Sequence, residues 1–264
     1  MKHIKHYKIF ESTSPNFPTT REEVVEVCEK YEIENYIIND GLSIDVDGDV
    51  DLYKKKLEYL PLKFNYVGGT FNCSFNQLKI LEGCPRTVVG DFFCDYNELK
   101  TLKGSPQTVD GSFYCYNNEL KTLEGCPKTV GGDFDCFENE LKTLEGSPQT
   151  VGGTFNCSYN ELITLEGSPQ TVDGSFNCSR NKLTDLEHFP EVNGIIDIEK
   201  NPVNLLVYTF IKKADSFMIE DFNDYEIVRN RDTVMLDRLQ TFIEGFDLEM
   251  PDLEDIKEHY KIIE

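Results

Sequence analysis

A strict internal repeat constrains this chain more than any other feature of its sequence. Cysteine recurs every 21 residues, and phenylalanine, asparagine and two rows of leucine recur in the same frame, as V-x-G-x-F-x-C-x-x-N-x-L-x-x-L-x-G-x-P-x-T. A fixed short period predicts stacked coils that share one continuous core. The cysteines of the frame are Cys73, Cys94, Cys115, Cys136, Cys157 and Cys178.

Each part of the unit predicts a local structure. Phe and Cys alternate with variable positions, which indicates one short strand per repeat with one face buried. The asparagine after the strand can bind backbone groups of neighbouring coils and so form a ladder inside the solenoid. The Gly-x-Pro-x-Thr-Val stretch carries proline in nearly every repeat and is predicted to be extended. The glycines before Phe suggest a bulge or tight turn.

The unit resembles the leucine-rich repeat, L-x-x-L-x-L-x-x-N-x-L, with Phe and Cys at its two central Leu positions. It is most similar to the short bacterial type, which implies a mostly β solenoid with parallel strands and an extended convex side. We therefore predict a leucine-rich-repeat solenoid with α-helical N- and C-terminal caps.

The frame decays towards both ends, which sets the expected domain limits. Val50 and Leu52 begin an atypical first rung, and Ile196, Ile198 and Asn201 repeat the frame with one residue deleted. We predict an N-terminal cap with one helix at 1–45, the solenoid at 46–202 and a helical C-terminal cap at 203–264. Thr20 and Glu23 form a capping-box pattern ahead of the N-terminal helix.

The charge of the chain bounds its partners. It has 26 Lys and Arg against 48 Asp and Glu, a formal net charge of −22, which repels phosphate backbones and anionic lipid surfaces. We expect no nucleic acid and no membrane partner. Without a signal peptide or a long apolar run, the expected location is the cytoplasm.

The residues that could bind a metal do not have the required spacing. No C-x-x-C pair occurs, and a 21-residue ladder places thiols in a row, so the cysteines are interpreted as buried reduced side chains. The run from Asp45 to Asp51 superficially resembles a calcium loop, but Gly48 and Lys56 do not match that loop. We therefore expect neither a metal nor a cofactor.

No catalytic motif is found in the sequence. The appended ubiquitin ligase domain of some bacterial effectors with similar repeats needs a cysteine followed two residues later by Asp, and no cysteine here fits. There is also no Gly-x-Ser-x-Gly, no P-loop and no cysteine with an evident histidine base. We predict no catalytic residues and a protein that is not an enzyme.

The candidate binding surface consists of variable positions within a fixed frame. In the leucine-rich-repeat fold such positions point to the concave face, and aromatic residues gather in the middle rungs, bordered by acids that include Asp91 and Asp133. Such a patch is typical of a protein-binding hot spot for a basic or mixed partner, although aromatic residues also simply favour strands. The predicted surface residues are Phe93, Tyr96, Tyr114, Tyr116, Phe137, Tyr159, Asp95, Asp135 and Glu138.

A second resemblance concerns the source and role of the chain. Its opening at residues 1–12, its Cys-Ser-Tyr-Asn-Glu-Leu segment and its closing Phe-Asn-Asp-Tyr-Glu-Ile-Val-Arg look like leucine-rich-repeat proteins of tailed bacteriophages. This implies action in host bacterial cytoplasm. We expect a monomeric, non-enzymatic scaffold, for example an accessory factor that binds a host or defence protein. A small-ligand binder, with Lys54, Lys55, Lys56 and Lys63 as the feature to examine, and a virion structural protein are the alternatives.

Overall fold

The repeat folds into a parallel β solenoid. The computed structural model describes residues 15–211 and 216–264, without the side chains of 208–211, 216 and 217, so the opening segment at 1–12 lies outside the described residues. Each coil contributes strands that pair with the equivalent residues of the next coil, as Phe113 does with Phe134 and Phe134 with Phe155. The partners are 21 residues apart, so the sequence period is the offset between neighbouring coils.

The Phe-x-Cys segments form the sheet that the alternation predicts, which we call the phenylalanine sheet. It has eight parallel strands in the described chain. The first and last rungs belong to it, because Val50 pairs with Phe71 and Phe176 with Ile196. Its strands are Val50–Asp51, Phe71–Asn72, Phe92–Phe93, Phe113–Tyr114, Phe134–Asp135, Phe155–Asn156, Phe176–Asn177 and Ile196–Asp197.

A second sheet, the valine sheet, corrects the expectation of one strand per repeat. The Thr-Val pair after each proline is extended, as predicted, but it also pairs with the Thr-Val pairs above and below. Each regular coil therefore has two short strands. The nine strands described are Tyr36–Ile38, Ser43–Val46, Lys63–Val67, Thr87–Val88, Thr108–Val109, Thr129–Val130, Thr150–Val151, Thr171–Val172 and Glu191–Val192, of which only the first is antiparallel to its neighbour.

The core lies between the two sheets and is built from columns of identical residues. The buried phenylalanine rings follow one another at centroid distances of 4.9 to 5.8 Å. The frame cysteines and both leucine rows are fully buried as well. All nine cysteines carry free thiols, and burial raises the pKa of thiols such as Cys115 and Cys136 well above their usual value. They pack as small apolar side chains.

The asparagine ladder is confirmed. Asn97 Oδ1 accepts the Leu78 amide of the preceding rung at 2.9 Å, and Asn97 Nδ2 donates to the carbonyls of Cys73 and Cys94 at 3.1 Å. Each ladder amide therefore joins two coils through backbone groups that would otherwise be buried without partners. The ladder runs through Asn76, Asn97, Asn118, Asn139, Asn160, Asn181 and Asn201.

Glycine forms the tight turn between the two sheets, where consecutive coils come closest. Gly90 donates its amide to the Gly69 carbonyl at 2.9 Å, and a Cβ on Gly90 would lie 2.7 Å from the Gly69 carbonyl carbon. No side chain fits there without moving the backbone of the neighbouring coil.

The segment before the solenoid contains helix α1 (Arg21–Lys30) and the first hairpin of the valine sheet. Thr20 accepts the Glu23 amide as predicted, but the Glu23 carboxylate binds the Thr19 amide instead of completing the capping box on Thr20. The strand Ser43–Val46 pairs in parallel with Lys63–Val67, so the valine sheet begins before residue 46.

The segment after Pro202 is mixed and not purely helical. It contains α2 (Asn204–Ile211), α3 (Ser216–Asp224), α4 (Leu236–Gly245) and α5 (Leu253–Lys257), together with a three-stranded sheet of Val228–Arg229, Thr233–Met235 and Lys261–Ile263. The strands were missed because they are short and carry no alternation of their own. None of the helices within the described residues is long and apolar enough to cross a bilayer.

Polar contacts hold this C-terminal segment on the last rungs of the solenoid. The Tyr260 hydroxyl donates to the Thr184 carbonyl at 2.8 Å, and Asn223 Nδ2 donates to the Leu186 carbonyl at 2.8 Å. Arg231 pairs with the buried carboxylate of Asp185 at 3.5 Å. Burial raises the pKa of Asp185 above its usual value in spite of the Arg231 charge.

Candidate functional site

The outward face of the phenylalanine sheet carries a simple unit in three rungs, those of residues 72–74, 156–158 and 177–179, which we call the outer rungs. The residues on either side of the frame cysteine are Asn and Ser, as in Asn72 and Ser74. Asn72 Oδ1 accepts the Ser74 amide at 3.0 Å and the Ser74 hydroxyl at 2.6 Å, so the rung closes its own turn. The same closure is made by Asn156 with Ser158 and by Asn177 with Ser179.

Three consecutive middle rungs depart from this Asn-Cys-Ser unit. They read Phe-Cys-Asp at 93–95, Tyr-Cys-Tyr at 114–116 and Asp-Cys-Phe at 135–137. Asp135 Oδ1 still accepts the Phe137 amide at 2.9 Å, but the side chains of Phe93 and Tyr114 cannot close their turns in this way. Among the six rungs with a frame cysteine the departures are confined to these adjacent three, while the buried frame stays unchanged. The two terminal rungs close their turns with Asp51 and Asp197 instead of Asn.

Most of the predicted aromatic residues meet in one connected set of rings, the aromatic group. Phe93 and Tyr114 stack with centroids 4.7 Å apart and an interplanar angle of 12°. Tyr116 meets Tyr114 edge-on at 6.4 Å and Tyr96 edge-on at 5.6 Å. The group also includes Phe75, stacked on Tyr96 at 4.1 Å, and through it Tyr53.

The other two predicted rings form a separate pair. Phe137 meets Tyr159 edge-on at 5.1 Å, and the Arg180 guanidinium lies over the Tyr159 ring at 4.6 Å. Tyr159 and Glu138 are exposed and occupy, like Tyr96, the left-handed backbone position that follows each strand. The predicted patch is therefore one group of rings and one pair.

The acids around the rings have unequal surroundings. Asp91 and Asp133 each use Oδ1 to accept the backbone amide of the next rung at 2.7 Å, so part of the predicted acidic border stabilises the coils. Asp95, by contrast, is only 2% exposed, and its Oδ1 has no hydrogen-bond partner among the described residues. A buried carboxylate oxygen without a partner is costly.

Burial changes the ionisation of this region. Burial raises the pKa of the Asp95 carboxyl, although the Ser74 and Tyr116 hydroxyls act in the opposite direction. Burial also raises the pKa of Tyr116 to about 12, and the Asp95 charge adds to that shift. The Asp135 carboxyl has a raised pKa because it is desolvated and lies near Asp133 and Asp95.

The strand positions of the outward face carry no positive charge in the described chain. Three columns of side chains point outward along its eight rungs, at the positions before the buried Phe, between Phe and Cys, and after Cys. All of these positions lie in the described chain, and none is Lys, Arg or His. These columns therefore give the face a negative potential, with Lys54 and Arg180 as cations at the left-handed positions beside its ends. Its acids are Asp49, Asp51, Asp91, Asp95, Asp133, Asp135, Asp197 and Glu199.

A small recess opens beside Tyr114 on this face. It has a volume of about 140 Å³, and sequence analysis missed it because its walls come from separate rungs. Comparing the rungs with one another would have identified the rungs of Tyr114 and Asp135, since both depart from the common unit. The lining residues are Tyr114, Asp133, Phe134, Asp135, Thr154, Asn156 and Asn177.

The acids that suggested a calcium loop are engaged with the protein itself. Asp45 Oδ1 accepts the side-chain amides of Asn39 and Asn65 at 3.1 and 2.7 Å, and Asp49 Oδ1 accepts the Thr70 amide at 2.7 Å. Within the described residues no three His, Cys, Asp or Glu side chains are arranged to hold a metal ion.

The lysine group contacts aromatic rings in two places. Lys54 Nζ lies 4.8 Å from the ring centroids of both Tyr53 and Phe75, at the end of the aromatic group. Lys63 lies over the ring of Phe17, beside the valine sheet. The group therefore includes one cation that already contacts the aromatic rings of the outward face.

Comparison with protein-family profiles, with curated proteins and with solved structures yields no match to this chain.

Proposed function

We propose that the chain is a non-enzymatic protein-binding scaffold that recognises a basic partner through the outward face of the phenylalanine sheet. The observation that carries this proposal is the departure of three adjacent rungs from the Asn-Cys-Ser unit. Folding requires only the unit, since the outer rungs close their turns with it. Rings and a buried carboxylate with one unpartnered oxygen at the centre of the face therefore support a role in binding.

Charge complementarity supports a basic partner. The face carries carboxylates in four of its eight rungs and no cation in its outward columns, within a chain of net charge −22. A basic partner would be attracted from a distance and oriented on approach, whereas acidic partners would be repelled. Exposed aromatic rings would then supply the apolar contact area at the centre of the interface.

We also propose that the solenoid is of the leucine-rich-repeat type. The leucine rows and the asparagine ladder support a leucine-rich-repeat solenoid, although the valine sheet replaces an irregular extended side. We propose that segments 1–45 and 203–264 act as caps of the solenoid at 46–202. Covered ends would favour a monomer. The resemblance to phage proteins supports an accessory factor that binds a host or defence protein in the bacterial cytoplasm.

A capture experiment tests the binding face. The bait is compared with a central-rung variant carrying Phe93→Asn, Asp95→Ser, Tyr114→Asn, Tyr116→Ser, Asp135→Asn and Phe137→Ser, which installs the unit of the outer rungs. A control carrying Asp110→Asn and Asp173→Asn also removes two negative charges, but from exposed positions beside the valine sheet. Both residues directly follow the valine of their repeat, a position that Asn193 occupies in the last rung. We expect a bacterial protein to be retained by the wild type and the control, and lost with the central-rung variant.

The same protein retained by all three folded baits would contradict the proposal. Circular dichroism of each bait establishes that the variants are folded. Each Asn or Ser introduced into the central rungs already occupies the same column in the outer rungs.

A small-ligand function is the second candidate, favoured by a groove of about 650 Å³ between the last rungs and the C-terminal segment. Its walls include Lys182, Lys200 and His259. A metabolite bound there would raise the melting temperature of the wild type and not that of a Lys200→Ala variant. A virion structural role has no comparable observation in its favour.

A further inference from the structure

The strand register surrounds the recess beside Tyr114 with a defined set of groups. Tyr114 pairs with Asp135 on the next rung, and Asp135 pairs with Asn156 on the rung after that. Phe93, on the preceding rung, covers one face of the Tyr114 ring with near-parallel stacking at 4.7 Å. The opposite face of the ring is therefore directed towards the rung of Asp133 and Asp135, where the recess lies.

The carboxylates at the recess are not neutralised by any cation of the outward columns. Asp133 and Asp135 stand two residues apart on the same rung, and repulsion from Asp133 contributes to the raised pKa of Asp135. One oxygen of each is already used, Asp133 Oδ1 by the Thr154 amide and Asp135 Oδ1 by the Phe137 amide. Asp133 keeps a second oxygen for an incoming donor. Asp135 also hydrogen-bonds the Asn156 side chain, which an incoming donor would share or replace.

We infer that this recess receives the guanidinium group of an arginine from the basic partner, an inference that rests on the proposed function. The planar cation stacks on the free face of Tyr114 and directs its N–H groups to Asp135 and Asp133. Asn156 and Asn177 border the far side of the recess, with their amide oxygens bound to Ser158 and Ser179, so the carboxylates are the acceptors for the guanidinium.

Arginine fits these groups better than lysine for two reasons. Its guanidinium is planar and stacks on an aromatic ring, whereas the ammonium of lysine is compact and more strongly hydrated. Its N–H groups also diverge in a fixed fork that can reach two carboxylates at once, whereas lysine acts as a single point of charge. Binding relieves the repulsion between Asp133 and Asp135 and supplies hydrogen bonds to partly buried oxygens.

The test compares oligo-arginine and oligo-lysine peptides of equal length, each carrying a fluorophore, by fluorescence polarisation at near-physiological salt. The variant is Asp135→Asn, which is well tolerated in principle because Asn occupies the same column at Asn72, Asn156 and Asn177 and can still accept the Phe137 amide. The matched control is Asp110→Asn, which removes one charge from an exposed site beside the valine sheet.

We expect the wild type to bind oligo-arginine more tightly than oligo-lysine. Asp135→Asn is expected to weaken the binding of oligo-arginine about tenfold. Asp110→Asn is expected to weaken the binding of both peptides equally, by less than about twofold, because it changes only the net charge. A second variant, Tyr114→Asn, is expected to abolish the preference for arginine, while Tyr114→Phe retains it.

Equal losses with Asp135→Asn and Asp110→Asn, or no preference of the wild type for arginine, would overturn the inference. The outcome is distinguishable from that of the capture experiment. If the recess fails this test but the central-rung variant still loses its protein partner, the scaffold function stands and the arginine assignment is wrong. If the recess discriminates but capture is unaffected, the recess is a cation site without the proposed function.

Discussion

Two residues of this structure show opposite ways of placing a polar side chain inside a solenoid. Asn97 is buried and has its amide oxygen and nitrogen bound to backbone groups of two rungs. Asp95, two residues earlier, is buried with one oxygen unpartnered. The first arrangement stabilises the stack, whereas the second has a desolvation cost that the Ser74 and Tyr116 hydroxyls only partly offset.

Replacement of a ladder asparagine is expected to be severe. Asn97→Ala leaves the Leu78 amide and the Cys73 and Cys94 carbonyls without this partner, so we expect the free energy of unfolding to fall by about 2–4 kcal/mol. The neighbouring Glu98→Ala removes only an exposed ion pair with Lys79 and should cost less than about 0.5 kcal/mol. Urea denaturation measures both, and similar losses would contradict the role assigned to the ladder.

Asp95 should make stability depend on pH in an identifiable direction. Its folded-state pKa is raised, so the folded chain holds the proton more tightly than the unfolded chain. Stability contributed by protonated Asp95 is therefore fully present below its ordinary pKa of 3.8 and is lost as the pH rises through the folded value. Above that value the buried carboxylate is charged and destabilises the fold.

We expect Asp95→Asn to be more stable than the wild type at neutral pH, and the two to converge as the pH falls towards 3.8. Urea denaturation at a series of pH values measures the difference, with Asp110→Asn as the exposed control. A constant difference across the series would show that Asp95 does not titrate as inferred.

At the scale of the strand, the two faces of the phenylalanine sheet have different tasks. Phe92 is fully buried between the rings of Phe71 and Phe113, while its neighbour Phe93 is half-buried and stacks on Tyr114 on the outside. The inner residue holds the coils together. The outer residue contributes less to folding and is available to a partner.

This difference can be measured with one substitution on each face. Phe92→Ala is expected to lower the free energy of unfolding by about 3–5 kcal/mol because it leaves a cavity in the ring column. Phe93→Ala should cost about 1 kcal/mol, mainly through the lost stacking on Tyr114. Equal costs, measured by urea denaturation, would indicate that Phe93 serves the fold as much as Phe92 does.

The elements also show how far a single sequence can predict this fold. The alternation of Phe and Cys correctly identified the buried strand, and the asparagine spacing identified the ladder. The Thr-Val strand was missed because two residues carry no alternation, and its pairing depends on the coils above and below. The outward aromatic residues were found as variable positions, but the burial of Asp95 and the recess beside Tyr114 depend on side chains from several rungs.

At the scale of the whole molecule, the C-terminal segment shares its apolar core with the solenoid and adds polar contacts to it. The Tyr260 hydroxyl reaches the Thr184 carbonyl across 76 positions of sequence, and burial raises the pKa of Tyr260. Arg231 pairs with Asp185 on the same rung as Thr184. These contacts place the segment against the last open coils.

Loss of one of these contacts should loosen the end of the solenoid and leave its centre intact. Tyr260→Phe keeps the ring and removes the hydrogen bond, so we expect a loss of about 1 kcal/mol. Hydrogen exchange should become faster in the rungs around residues 183–198 and stay unchanged around residues 92–115. Uniform acceleration along the chain would indicate that the segment stabilises the whole array.

The constant register of the coils makes the length of this molecule adjustable. Because each residue of the regular array pairs with the residue one repeat away, excision or duplication of one complete repeat joins surfaces that already fit each other. Repeats so alike in sequence also favour unequal recombination in the gene. Descendants of this protein can therefore gain or lose outer rungs in single genetic events while the three middle rungs, and whatever they recognise, pass on unchanged.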